Sequence, residues 1–241
     1  MTISENLTEV QNRIDDSLRR AGRPPQAATL IAVSKTKPVS MILEAYRAGI
    51  RDFGENKVQE LTEKREQLPS DIRWHMIGHL QRNKVKYLIG NVALIHGVDS
   101  LRLAEEISRE SVKKSVETDI LIEVNAAGEE SKFGAAPEET LALVEAISRL
   151  PAVHIKGLMT IAPYTENPEE NRKYFRALKQ LSVDITRKNV DNVSMSVLSM
   201  GMTNDFGVAV EEGATYVRVG TGIFGLRSRG SAVTDGPADS E

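Results

Sequence analysis

The chain has 241 residues, 40% of them apolar and 27% charged, enough to bury a full core without disulfide or metal staples. Its 31 basic and 34 acidic residues leave a net charge of −3, so no bulk attraction draws it to nucleic acid or to an anionic membrane. The absence of cysteine excludes a disulfide framework, a thiol nucleophile and a thiolate metal site. The first ten residues carry polar and charged side chains at intervals throughout, and no apolar run approaches the ~20 residues that span a bilayer. The expected compartment is the cytoplasm, where the glycosylation-like triplets at Asn6 and Asn192 have no consequence.

The chain opens with an amphipathic helix, in which Ile3, Leu7, Val10, Ile14 and Leu18 recur at steps of three and four. Gly22 and Pro24-Pro25 stop it. Short apolar runs then alternate with helical patterns. Strands are expected over 29–34, 51–54, 73–77, 93–98, 119–125, 153–159, 194–199 and 216–219. Helices are expected over 39–48, 57–67, 81–89, 100–115, 137–149, 168–189 and 205–212. Such alternation implies parallel pairing with right-handed crossovers. Eight strand–helix units in a chain of this length point to an α/β fold, a single (β/α)8 barrel over 1–226, with the extra leading helix on its bottom or flank. An open doubly wound sheet carries fewer strands and an early glycine-rich loop, and neither applies. Residues 227–241, rich in Ser, Gly, Asp and Pro without apolar periodicity, read as a disordered tail.

Chemistry in such barrels sits at the carboxyl ends of the strands. Those positions hold Lys35, Glu55-Asn56, Gly78-His79, Asp99-Ser100, Asn125, Met159-Thr160, Ser199-Met200-Gly201 and Gly220-Thr221-Gly222. Lys35 ends a buried strand, where an ammonium is costly unless it is neutral, paired or covalently occupied. It is either a rim lysine in a salt bridge or an amine suited to Schiff-base chemistry. Loops after the seventh and eighth strands form the recurrent phosphate cradle of barrel enzymes, and here they are Ser199–Thr203 and Arg218–Gly222. The alternative is a pair of ordinary tight loops. Gly220-Thr221-Gly222-Ile223-Phe224-Gly225 also matches G-x-G-x-x-G, but too little chain follows for the βαβ unit of a dinucleotide site.

Other patterns fail on geometry. His75 and His79 are four apart, but on a strand that separation is ~13 Å, too far for one metal. His79 lies beyond the strand end and is a pocket candidate, whereas His75, His96 and His154 read as structural. The scattered methionines read as core or pocket filler.

A lysine ending the first strand, with a phosphate cradle at the seventh and eighth, resembles the barrel class of pyridoxal-phosphate proteins. The match narrows over five ordered blocks: Ala32-Val33-Ser34-Lys35-Thr36-Lys37-Pro38, Phe53-Gly54-Glu55-Asn56-Lys57-Val58-Gln59-Glu60, Trp74-His75-Met76-Ile77-Gly78-His79-Leu80-Gln81, Leu198-Ser199-Met200-Gly201-Met202 and Arg218-Val219-Gly220-Thr221. Together they resemble the pyridoxal-phosphate homeostasis protein family over essentially the whole chain except the tail. Thr203-Asn204 departs from that family's usual residues after the Met-Gly-Met run, although a threonine supplies the same hydroxyl.

The resemblance implies the following expectations. Pyridoxal 5'-phosphate is held covalently on Lys35, with Lys37 as the rival. Ser199, Gly220 and Thr221 hold the phosphate. Arg218 faces the pyridine nitrogen, Asn56 and His79 line the other ring edge, and Met200 packs near it. A guanidinium there keeps the ring nitrogen unprotonated and weakens carbanion chemistry. Racemases of the same class also use an arginine there, but they add a second β domain with a tyrosine opposite the lysine, for which this chain has no room. The expected role is therefore reversible cofactor holding in vitamin B6 homeostasis with little or no catalysis. The partners are the cofactor and pyridoxal-phosphate-dependent apoenzymes, with no nucleic acid, membrane or metal, in a monomer or a weak homodimer paired through the leading helix. A single-domain amino-acid racemase is the alternative, and an unrelated phosphate-binding barrel a third.

Overall fold

Eight short runs, most of them rich in Val, Ile, Leu or aromatics, become parallel strands β1 (Thr29–Val33), β2 (Asp52–Glu55), β3 (Arg73–Met76), β4 (Leu94–Val98), β5 (Thr118–Glu123), β6 (Val153–Met159), β7 (Val193–Met202) and β8 (Tyr216–Val219). Each pairs with the next and β8 pairs back onto β1, which closes the sheet into the expected barrel. The structure, a computed structural model, describes residues 2–129 and 132–225. The helices in chain order are α1 (Ile3–Arg20), α2 (Val39–Arg47), α3 (Val58–Arg65), α4 (Val85–Leu88), α5 (Leu101–Lys114), α6 (Thr140–Ile147), α7 (Arg172–Arg187), α8 (Phe206–Glu211) and α9 (Thr221–Phe224).

Side-chain alternation along each strand divides the interior in two. Outward positions such as Leu30, Ala32, Phe53, Trp74, Ile120, Ile122, Leu198 and Val217 pack against the helices in one continuous apolar shell. Each fully buried Leu, Ile or Phe there contributes about 1.5–3 kcal/mol. Inside the barrel, Leu94, Leu121 and Met159 form a small apolar plug, with Ile161, Val197 and Tyr216 against it. Buried polar side chains also rise from the strands: Asp52, His75, His96, Glu123, Ser199 and Arg218. Barrel interiors are ordinarily filled by branched apolar residues, so this polarity is a departure.

The leading helix is capped by Thr2 and Glu5 in a reciprocal pair of hydrogen bonds. Its apolar face, Ile3, Leu7, Val10, Ile14 and Leu18, is buried against the last part of the barrel. Asn6 donates to the Ile223 carbonyl at 2.8 Å, and Arg23 just beyond the helix donates to the Val210 and Ala214 carbonyls. The helix therefore covers the barrel's flank, and its apolar face is spent within the chain.

Two expected helices begin as tighter turns. Of the 81–89 segment, Val85, Leu88 and Ile89 at its end are buried in the core while 81–83 are exposed, and a 3-10 turn (Arg82–Lys84) precedes a single α turn. Pro168 fixes the backbone of a second 3-10 turn (Pro168–Asn171), capped by Asn167, before α7 begins. The helix expected over 137–149 is shortened to α6. The tail expected to be disordered, 227–241, lies outside the described residues. No helix among the described residues is long and apolar enough to cross a membrane.

Candidate ligand site at the barrel mouth

Lys35 stands half-buried just past β1, on a segment fastened from both sides. The Ser34 N–H donates to the Gly54 carbonyl at 3.0 Å, and the Thr36 N–H donates to Glu60 Oε1 at 2.6 Å. Thr36 takes the left-handed conformation, φ +63°, which a β-branched residue adopts only under constraint. The constraint is a charged cluster behind the lysine. Lys64 Nζ donates to Glu55 Oε1 at 2.7 Å, Glu60 Oε1 at 2.6 Å and the Ser34 carbonyl at 2.7 Å. The Ser34 hydroxyl donates to the same Glu55 oxygen at 2.7 Å. Burial pushes the Glu55 carboxyl up, against the pull of the hydrogen bonds from Lys64 and Ser34. Lys37, the rival amine, reaches across to the carbonyls of Phe224 and Gly225, both at 3.0 Å. That ties it to the end of α9 and leaves Lys35 as the lysine set on the inward phase of β1.

The cradle forms where β7 and β8 end beside β1. Leu30 pairs with Val217 and Ala32 with Val219, so Gly220 falls beside Val33, where a Cβ on it would meet the Val33 carbonyl at 3.3 Å. The register of β7 against β8 shifts between Ser199 and Met202, which re-aims the chain after Met200. Gly201 makes the bend at φ +89°, and a Cβ there would lie 2.5 Å from that of Ala209. Buried Asp205 then accepts from the Met202 N–H at 2.7 Å and from Asn171 Nδ2 at 2.8 Å, fixing the loop. The outcome is a convergence of donors. Thr203 Oγ1 lies 3.3 Å from Thr221 Oγ1 and 3.4 Å from the Gly220 nitrogen, at the start of α9, whose first N–H groups have no acceptor within the helix. Two hydroxyls and backbone N–H groups on a glycine-lined surface are a donor set for a phosphate.

Two expected site residues are placed elsewhere, and both are corrections. The Ser199 hydroxyl does not join the cradle: the residue is 0% exposed, with Oγ 2.9 Å from His96 Nδ1 and accepting from Arg218 at 2.5 Å. Thr203 takes its place. Met200, one residue on, alternates to the opposite face and is buried in the shell between barrel and helices, away from the mouth. Arg218 is 3% exposed, donating to Ser199 and, at 2.9 Å, to the Thr160 carbonyl, which leaves its Nε without an acceptor among the described residues. Burial pulls its pKa to about 10 while Glu123 and Asp205 act the other way, so it remains a cation at neutral pH. Asn56 is half-buried at the end of β2, its backbone packed against Gly78. His79 sits on the exposed rim, stacked on Phe133 with ring centroids 3.8 Å apart and 3.7 Å from Asp99.

The alanine racemase N-terminal domain family matches residues 6–228. A pyridoxal phosphate homeostasis protein of Aquifex aeolicus is 49% identical, covering 94% of this chain and 99% of its own length. The chain belongs to the pyridoxal phosphate homeostasis protein family. Among solved structures, a protein of unknown function from Bifidobacterium adolescentis matches with a TM-score of 0.88 at 36% identity, over 92% of this chain and 94% of that one. PipY of Synechococcus elongatus, solved with pyridoxal phosphate bound, matches at 0.80 and 36% identity over 93% of this chain and all of its own.

For this member of the family, several contributors lie outside what the sequence motifs suggested. Thr203 falls at the end of the expected cradle loop without being singled out as a site residue, although its hydroxyl is the hub of the donor cluster. Glu60 and Lys64 carried a signal: they are four apart on α3, and Lys64 falls on the buried phase set by Val58 and Leu61. Glu123 carried none, because its neighbours Asp99 and Arg218 come from distant segments. Burial, and then Asp99, push the Glu123 carboxyl up to about 7, against the pull of Arg218. A carboxyl raised in the folded state favours folding when protonated, so its benefit is full below the usual 4.5 and gone above about 7. In cofactor-free protein, Glu123→Gln is expected to gain about 3 kcal/mol over the parent as pH rises from about 5 to 8. Urea denaturation at the two pH values measures it, and an unchanged difference would show that this carboxyl titrates normally.

Proposed function

We propose that this protein holds pyridoxal 5'-phosphate as a Schiff base on Lys35 and takes part in intracellular vitamin B6 homeostasis, in the cytoplasm. The observation that carries the proposal is the adjacency of β1 and β8. It sets a lysine on a constrained segment beside a hydroxyl-and-amide cradle, the two groups that an aldehyde-bearing phosphate ester needs at its opposite ends. The bound cofactor supplies a reversible carbonyl and an electron-withdrawing ring.

Each residue then has a task. Thr203, Thr221 and the amides from Gly220 onward hold the phosphate. Arg218 presents a cation to the ring nitrogen and keeps it unprotonated. Asn56 lines the ring edge, and His79, backed by Phe133, closes the rim. An unprotonated ring is a poor electron sink, in keeping with a carrier that hands its cargo to cofactor-requiring apoenzymes; a racemase is the alternative. Deuterium exchange at Cα across a panel of amino acids tests that choice. Exchange at enzymatic rates that is lost in Lys35→Ala would establish a racemase instead.

The cradle has its own test. Thr203→Ala combined with Thr221→Ala is expected to weaken cofactor affinity about 10- to 100-fold, the loss of hydrogen bonds to a charged group, with the melting temperature nearly unchanged. An affinity equal to the parent's would place the phosphate elsewhere.

A further inference from the structure

A continuous line of buried hydrogen bonds runs through the barrel to Arg218, and neither the cradle nor Lys35 requires it. It starts at the opposite end of the strands with Arg73, whose guanidinium is half-exposed and paired with Asp52 through two hydrogen bonds. Asp52 Oδ1 lies 3.0 Å from His75 Nε2, His75 Nδ1 lies 3.0 Å from His96 Nε2, and His96 Nδ1 lies 2.9 Å from Ser199 Oγ. Ser199 accepts from Arg218. Asp52, His75, His96, Ser199 and Arg218 are all at most 4% exposed, and the Tyr216 ring packs edge-on against His75 and tilted against His96. Such a line displaces apolar packing from the centre of a barrel, and it is tolerable only if every member is satisfied.

The proton positions follow from the two ends. Arg218 has only donors, so Ser199 must accept from it. Asp52, holding Arg73 and facing a ring nitrogen, is an acceptor as the carboxylate. One arrangement then satisfies the whole line. His75 Nε2–H donates to Asp52, His96 Nε2–H donates to His75 Nδ1, and the Ser199 hydroxyl donates to His96 Nδ1. The reverse order would turn a lone pair toward the Asp52 carboxylate and leave the Ser199 proton without an acceptor among the described residues. The ends of the line agree with this order, His96 as a neutral ring and Asp52 as the carboxylate. Burial, with the nearby His75 and Arg218, holds the His96 pKa well below its usual value. Hydrogen bonds from His75 and Arg73 overcome burial and keep the Asp52 carboxyl low.

We propose that Asp52, His75, His96 and Ser199 form a positioning array for Arg218: the carboxylate at the far end orders every proton toward itself, so Ser199 offers the guanidinium only lone pairs and holds it at the mouth. The proposal deepens the cofactor reading, since the ring nitrogen is what Arg218 faces when the site is filled. The charged groups around that guanidinium are Glu123 from β5 and Asp205 from the loop before α8.

The test has two arms. In cofactor-free parent protein, long-range 15N spectra are expected to show His75 and His96 as neutral Nε2–H tautomers between about pH 6 and 8. A doubly protonated His75, or an Nδ1–H His96, overturns the array whatever the site binds. In protein loaded with pyridoxal 5'-phosphate, Ser199→Ala is expected to weaken affinity about tenfold and to shift the pH profile of the visible absorbance, while Ser199→Thr keeps the parent profile. A Ser199→Ala profile superimposable on the parent's also overturns it. If the parent binds no cofactor, the functional reading fails, and the 15N arm still decides the array.

Discussion

Lys35→Ala is expected to abolish covalent retention of pyridoxal 5'-phosphate and to lower affinity at least about 100-fold, about 2.8 kcal/mol. Gel filtration after loading, followed by the visible absorbance of the protein peak, measures this. The fold should survive, because Lys35 is only half-buried and its segment is held by backbone bonds from Ser34 and Thr36 that the substitution leaves in place. Lys37→Ala is the control. Its amine binds the carbonyls of Phe224 and Gly225, so its loss should loosen the end of α9 yet leave the visible absorbance intact. Equal losses from the two substitutions would contradict the separation of the two amines drawn from the geometry.

Lys64→Met is expected to be the most destabilising change in the mouth, at about 3–5 kcal/mol, or roughly 10 °C in melting temperature for a domain of this size. The reason is what it leaves behind. Glu55 is 0% exposed, and its Oε2 is the buried side-chain polar atom with no partner among the described residues. Without Lys64 its Oε1 keeps only the Ser34 hydroxyl, and the carboxylate is stranded in an apolar layer. Glu60 loses its partner as well, and the left-handed Thr36 loses the alignment of its acceptor. Adding Glu55→Gln to Lys64→Met removes the buried charge and should restore most of the stability. A cost below about 1 kcal/mol for the single change would show that the ion pair does not fasten the Lys35 segment.

The barrel was legible in the sequence because its two signals are local. Strands buried on both faces read as short, largely apolar runs, and the helices between them repeat at three and four. The polarity of the strand ends was legible for the same reason, since position along a strand follows from counting. Which way a side chain points was harder, because it depends on parity and on where a strand bends. Glu55 and Asn56 are neighbours with opposite fates: one is buried with Lys64 behind the sheet, the other is set at the mouth. Ser199 and Met200 were assigned together to the mouth, yet alternation sends one inward to Arg218 and the other outward to the shell. The register shift in β7 then delivers Thr203 to the cradle, a displacement that no periodicity announces. His75 and His96, taken singly, read as structural. Their connection needed the barrel closed, since His96 meets a serine more than a hundred residues away.

Borohydride reduction of the cofactor-loaded protein, followed by proteolysis and mass mapping of the pyridoxyl-lysine, tests the central claim most directly. The account expects one modified residue, Lys35, in near-stoichiometric yield. Modification of Lys37 or another lysine in its place, or tightly bound cofactor with no lysine modified, would contradict it.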